Sequence, residues 1–176
     1  MPEYVDLPIY HEELASALGF GPSDLDANRA GTLSASQRSA LLGSEARRMV
    51  ASGVSLLIAL GFVAAAIAIG VTTGLSVRIL VFAAVALFVA GLLAFSSIKL
   101  WRDISAGDVL SVQGFVNPGM KIKPVGRYTV PDFYWDVGDQ RFHIPGNAYG
   151  VLTPAPHRLY FLPLTRRIVS AEPISG

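Results

Sequence analysis

From Met49 to Ile98 the only charged side chain is Arg78, and no acidic residue lies between Glu45 and Asp103. A run of this kind admits few folds. Crossing about 30 Å of hydrocarbon takes about 20 helical residues, and the stretches 50–71 and 77–98 each supply that length. The sequence VTTGLSVR, residues 71–78, separates them. Thr72, Thr73, Gly74 and Ser76 suit a turn, with Gly74 free to take the positive φ that ends a helix. Neither stretch has the polar face that an ordinary surface helix needs. These features predict an integral membrane protein built on a two-helix transmembrane hairpin over 49–101, with spans near 50–71 and 77–100.

Orientation follows from the basic flanks. Arg38, Arg47 and Arg48 precede the first stretch, and Lys99, Arg102, Lys121 and Lys123 follow the second. The connection carries Arg78 alone, so both termini are expected to be cytoplasmic, in a bacterial plasma membrane. Trp101 stands where an interfacial aromatic anchor belongs. Small residues recur four apart as Gly61 and Ala65, as Ala66 and Gly70, and as Ala86, Ala90 and Ala94, with Gly91 beside that row. Such spacing lets helices approach closely. It serves either packing within the hairpin or a docking face for another protein or a second copy. With no Asp, Glu, His, Asn or Gln inside either stretch, a proton relay through them is not expected.

Composition agrees with that division. Hydrophobic residues make up 52% of the 176-residue chain and charged residues 15%, against about 25% charged in ordinary soluble domains. The deficit falls in the central run. A net charge of +1 gives no strong field for nucleic acid, and the absence of Cys excludes disulfides and thiolate chemistry. The N-terminus MPEYVDLPIYHEEL lacks the basic and apolar regions of a secretory signal.

Residues 1–48 read as a cytoplasmic helical segment. PIYHEELASALG predicts one helix with Pro8 in its first turn and Gly19 after its end. PSDLDANRAG predicts another, stopped by Gly31. Ser34 and Gln37 have capping-box spacing, and a helix starting there is expected to run through Arg47 and Arg48. Two motif look-alikes fail on spacing. HEELA has Ala15 where a zinc-protease helix needs its second His after His11. DLDANR places Asp24, Asp26 and Asn28 at calcium-loop positions, but Arg29 replaces the required Gly and Ala35 the required Glu. Asp24 and Asp26 read better as acids favoured at a helix N-terminus.

After Ser105 the texture changes to short strand patterns with Gly and Pro punctuation. DVLSVQGFVN, GRYTV, DFYWDV, QRFHIP, HRLYFLPL and RIVSAEP read as strands. Turns are expected at Val137-Gly138-Asp139-Gln140 and at Pro163-Leu164-Thr165-Arg166. Residues 105–176 are therefore expected to form a small cytoplasmic β-barrel, SH3-like or OB-like, since closure removes exposed edges. His143 and His157 lie in different strands without an assigned third ligand. Arg127, Arg141, Arg158, Arg166 and Arg167 alternate with Tyr128, Phe133, Tyr134, Trp135, Phe142 and Tyr160, a mixture that can bind nucleic acid. Asp108, Asp132, Asp136, Asp139 and Glu172 offset that charge, so core aromatics and rim arginines, or contacts to anionic headgroups, are the better reading. No catalytic, cofactor-binding or metal-ligating set can be assigned, and no cofactor is expected.

LGFGPSDLDANRAGTLSASQRSALL and RLYFLPLTRRIVSAEPI carry a resemblance to uncharacterised two-span bacterial membrane proteins with a small C-terminal β-domain. By layout alone the chain is also similar to NfeD-like proteins, which pair membrane helices with an OB domain. The resemblance implies an interaction role and supplies no site residues. The expected function is that of a non-enzymatic membrane accessory protein whose β-domain docks a partner. The alternative is a membrane-tethered barrel that binds a small ligand or carries an activity. Expected partners are the lipid bilayer and another membrane or cytoplasmic protein, or a second copy through the small-residue helix faces. Nucleic acid is not an expected partner.

Overall fold

The computed structural model describes residues 11–73, 76–151 and 154–174. Its elements are α1 (Glu12–Leu18), α2 (Pro22–Arg29), α3 (Ala35–Thr73), α4 (Ser76–Ala106), β1 (Leu110–Val125), β2 (Tyr128–Val137), β3 (Gln140–His143), α5 (Gly146–Tyr149), β4 (Ala155–Phe161) and β5 (Ile168–Pro173). They fall into two compact units, which divide at Arg38/Ser39 and at Ser105/Ala106.

Local chemistry sets the helix ends. The His11 Nδ1 accepts a hydrogen bond from the Leu14 amide at 3.3 Å, and Glu12 and Glu13 favour the same positive helix end. Gly19, at φ 75°, closes α1 in the left-handed conformation. Pro22 opens α2, and the Asp24 carboxylate accepts from the Gly21 amide at 2.8 Å. Ser34 Oγ accepts from the Gln37 amide at 3.0 Å. The Gln37 side chain then completes no capping box, because it donates to the Val169 carbonyl instead. As the sequence predicts, α3 runs on from that cap through Arg47. Pro8 and Gly74 lie outside the described residues.

The sheet is antiparallel throughout, in the order β3-β2-β1-β4-β5. Side chains alternate between its faces. On one face Val116 pairs with Val137, Trp135 with Phe142, and Leu159 with Ala171. These residues form the core with Leu14 of α1, Ile144, Ala148 of α5, Phe161 and Ile168. Phe142 and Phe161 meet with ring centroids 5.0 Å apart. The opposite face carries Ser170 and Glu172, which meet α2. A short backbone link, Leu33 amide to Gly107 carbonyl at 2.8 Å and Val109 amide to Gly31 carbonyl at 2.9 Å, ties the loop before α3 to the start of β1.

Two expectations are corrected here. The first is the transmembrane hairpin over 49–101. Among the described residues, no helix is long and apolar enough to cross a membrane. Low charge over 50–71 and 77–100 is compatible with a span, but a crossing needs an uninterrupted apolar window of about 20 residues within one helix. The described parts of α3 and α4 do not offer one. The integral plasma-membrane placement, the orientation drawn from the basic flanks, and both membrane-based functions fall with the hairpin. The second is the closed barrel. β3 and β5 are the ends of an open sheet and pair with one inner neighbour each. The edge problem is met without closure, by a four-residue β3 and by α1 and α2 packing on β5.

The strand boundaries also differ. GRYTV and DFYWDV form one strand, β2, and β1 continues past Pro118 to Val125. Proline lacks an N–H and is tolerated where one strand edge is unpaired, which is the position of that extension. Both expected turns are present. Gly138 has φ 58° between β2 and β3, and Arg166 has φ 53° between β4 and β5.

Candidate interaction surfaces

Four groups of residues stand out as sites, three in the sheet unit and one in the helical unit. The most buried is centred on Glu172. Its Oε2 accepts from Arg29 Nε at 3.0 Å and NH2 at 2.5 Å, and its Oε1 accepts from the Tyr160 hydroxyl at 2.7 Å. Arg158 NH1 stands 3.6 Å away. Beside it Asn28 Nδ2 donates to Ser170 Oγ at 2.6 Å. Burial, reinforced by the bond to Glu172, pushes the Tyr160 hydroxyl above its ordinary range. The Arg29 guanidinium is raised, first by its bond to Glu172. Each charge here is neutralised by a neighbour, so the cluster fixes α2 to β4 and β5 and presents no reactive group.

The second group lies on the same sheet face, over β1, β2 and β3. Lys123 Nζ is 2.6 Å from Asp132, and His143 Nδ1 is 3.0 Å from the same carboxylate. The Lys123 contact is the first cause holding Asp132 below the usual carboxylate range. Arg141 binds Asp136 through two bonds of 2.8 Å and lies over the Tyr134 ring at 3.7 Å, and it depresses the Asp136 pKa. Tyr134 in turn covers Gly119, its register partner, where a Cβ would meet the ring. These are solvated cross-strand pairs of the kind that rigidify a sheet.

The third group is the protruding end of the β1–β2 hairpin, where Met120, Ile122, Tyr128 and Val130 are exposed. The fourth is the surface of α3 and α4. Leu57 is 70% exposed and Phe88 68%, and Val50, Ile58, Phe62, Val81, Phe95, Ile98 and Trp101 are each more than half exposed. A Cβ added at Gly53, Gly61 or Gly91 would meet nothing within 4 Å. At these glycines, then, the small-residue positions open outward. Burial in this unit concentrates at Leu41, Glu45, Ser97, Leu100, Asp103 and Ile104.

The motif look-alikes resolve into structure. His11 caps α1. Asp24 accepts from Ser34 at 2.5 Å, from Ser36 and from Gly21; burial raises its pKa, but these bonds together hold it below its ordinary value. Asp26 pairs with Arg29 at 2.9 Å. His143 and His157 do not meet. His143 is exposed on the face of Asp132, whereas His157 pairs with Pro173 on the core face three strands away. His157 is 5% exposed, and its Nδ1 lies 3.0 Å from the Ala155 carbonyl. No group of three or more His, Asp or Glu residues able to hold a metal occurs among the described residues. The interleaved arginines and aromatics separate by face. Trp135 and Phe142 enter the core, while Arg141 stacks on Tyr134 outside it.

Sequence reasoning missed the Arg29–Glu172–Tyr160 cluster, whose members lie far apart in the chain. It also missed the protruding hairpin end, although three prolines in NPGMKIKPVGRYTVP mark it. In comparisons with known proteins, no family model, curated protein or solved structure matches the chain.

Proposed function

We propose that this protein is an assembly module, which self-associates through the apolar faces of α3 and α4 and carries the sheet unit as a rigid, polar-faced platform. The observation that carries this reading is the band of exposed large apolar residues around open glycines on those helices. Water-exposed patches of this kind mark surfaces that another apolar surface covers. Gly61 and Gly91 let a second helix approach its backbone closely, and a second copy supplies a self-complementary face under two-fold symmetry. The outer sheet face, with its mutually neutralised charges, supports the platform role.

Light scattering of the purified full chain tests the reading. A dimer or small closed oligomer is expected. Leu57→Glu with Phe88→Glu should shift it to monomer while the sheet unit keeps its circular-dichroism signal. A wild-type chain that is monomeric within a detergent or lipid shell would overturn self-association and assign the cover to lipid.

A further inference from the structure

The end of the β1–β2 hairpin extends past the rest of the sheet. β1 and β2 pair from Val116↔Val137 out to Val125↔Tyr128. β4 pairs with β1 only as far as Val116, and β3 with β2 only from Tyr134 to Val137. Residues 117–125 and 128–133 therefore form a two-stranded ribbon whose outer edges pair with no described strand. At about 3.3 Å per residue its β1 side is about 30 Å long. Gly126, at φ 62°, makes the tip.

The chemistry of this arm differs from that of the rest of the chain. Ile122 is 61% exposed and Tyr128 79%, with Met120 and Val130 about half exposed. Residues 119–130 contain Lys121, Lys123 and Arg127 and no acidic residue. The whole chain has a net charge of +1 from 14 basic and 13 acidic residues. The arm contributes +3, so the remainder carries 1 − 3 = −2. At the arm's base Asp132 neutralises Lys123, which leaves Lys121 and Arg127 flanking the apolar tip.

We propose that this arm docks tip-first on an anionic lipid surface, with Ile122 on one face of the ribbon and Tyr128 on the other entering the interface on either side of Gly126, and with Lys121 and Arg127 meeting the headgroup charges. Aliphatic anchors interleaved with cations match a negatively charged interface. Two other occupants fit less well. Strand pairing with a second copy is opposed by Pro118, Pro124 and Pro131, which remove edge donors, and by repulsion between two cationic arms. Single-stranded nucleic acid calls for a row of stacking rings, and the arm's exposed side chains are mainly aliphatic.

The chain has no Cys, so Ile122→Cys in the full-length protein places a single environment-sensitive dye on the arm. Titration runs against phosphatidylcholine vesicles with and without about one-third phosphatidylserine. A Ser23→Cys chain labelled in α2 controls for attachment elsewhere. The expected result is a blue shift at position 122 on the anionic vesicles, absent on neutral ones and absent at position 23. Lys121→Gln with Arg127→Gln should weaken it on the order of 30-fold, at about fivefold per cation. No shift at 122, or an equal shift on both vesicles, overturns the proposal. So does a shift without vesicles that grows with protein concentration, which indicates a second copy. A shift produced by heparin or oligonucleotide alone assigns the arm to soluble polyanions and also overturns it. The oligomer measurement above is independent of this readout.

Discussion

The sheet unit and the helical unit solve the same problem in opposite ways. In the sheet unit large apolar groups are inside, and the buried Glu172 is met by Arg29 and Tyr160. Its edge strand β5 is covered by helices from the other end of the chain. In the helical unit Leu57, Phe88 and their neighbours face outward. Internal burial stabilises the first unit, whereas the second leaves many large apolar side chains exposed. Mutational sensitivity should therefore divide at the boundary: truncations are costly in the sheet, and cheap for folding on α3 and α4.

The largest effect should come from Trp135, which is fully buried in the sheet core. Trp135→Ala is expected to cost about 3–5 kcal/mol of stability, read as a fall in the urea midpoint of the sheet unit. Leu57→Ala should change the stability read from that midpoint by about 0.5 kcal/mol or less, because its side chain lies outside the sheet unit. Equal losses at the two positions would break the comparison.

Next comes the ion cluster that holds α2. Glu172→Gln removes the charge that Arg29 and Tyr160 both address. Bonds to charged groups are worth about 1.5–3 kcal/mol, and the partial exposure of Arg29 places the loss near the lower end, at about 1.5 kcal/mol. Asp136→Asn, which breaks the half-exposed pair with Arg141, should cost no more than about 1 kcal/mol. Thermal melts of the two variants side by side check the order. A larger loss at Asp136 would mean that the outer face, and not the α2 contact, carries the electrostatic stabilisation.

The same contrast explains what could be read from the sequence. Local signals were legible. The Ser34 cap, the Gly19 stop, the Gly138 turn and the strand character of QRFHIP and RIVSAEP each depend on a few neighbouring residues, and the structure has them all. The apolar run was legible as helix, whereas the described residues of those helices hold no window able to cross a membrane. Sheet closure was inferred from the need to protect edges, and the chain protects β5 with α1 and α2. Nothing near ELASAL or LDANR announces a strand more than a hundred residues away. The Arg29–Glu172 pair and the Gln37–Val169 bond were hidden for the same reason. The segment 118–125 was not among the expected strands, and its pairing with β2 is what makes it one.

The smallest expected effect is pH-dependent, and it probes how α1 sits on the sheet. His157 is buried on the core face, and burial is the first cause lowering its pKa, with the charge of His11 acting in the same direction against the bond to the Ala155 carbonyl. The unfolded chain holds an ordinary histidine, with a pKa of about 6.5. Its folded value lies below that, so on acidification the unfolded state binds the proton first. Stability is then complete above about pH 6.5 and falls as the pH drops from there toward the lower folded value, with a slope of at most about 1.4 kcal/mol per pH unit. The carboxylates with depressed values, Asp24, Asp132 and Asp136, act in the same direction at lower pH, near and below their ordinary value of about 3.9. The window between pH 6.5 and 5 therefore isolates histidine. In the full chain, His157→Gln should flatten the stability profile across that window. A slope that survives His157→Gln would place the titrating group elsewhere.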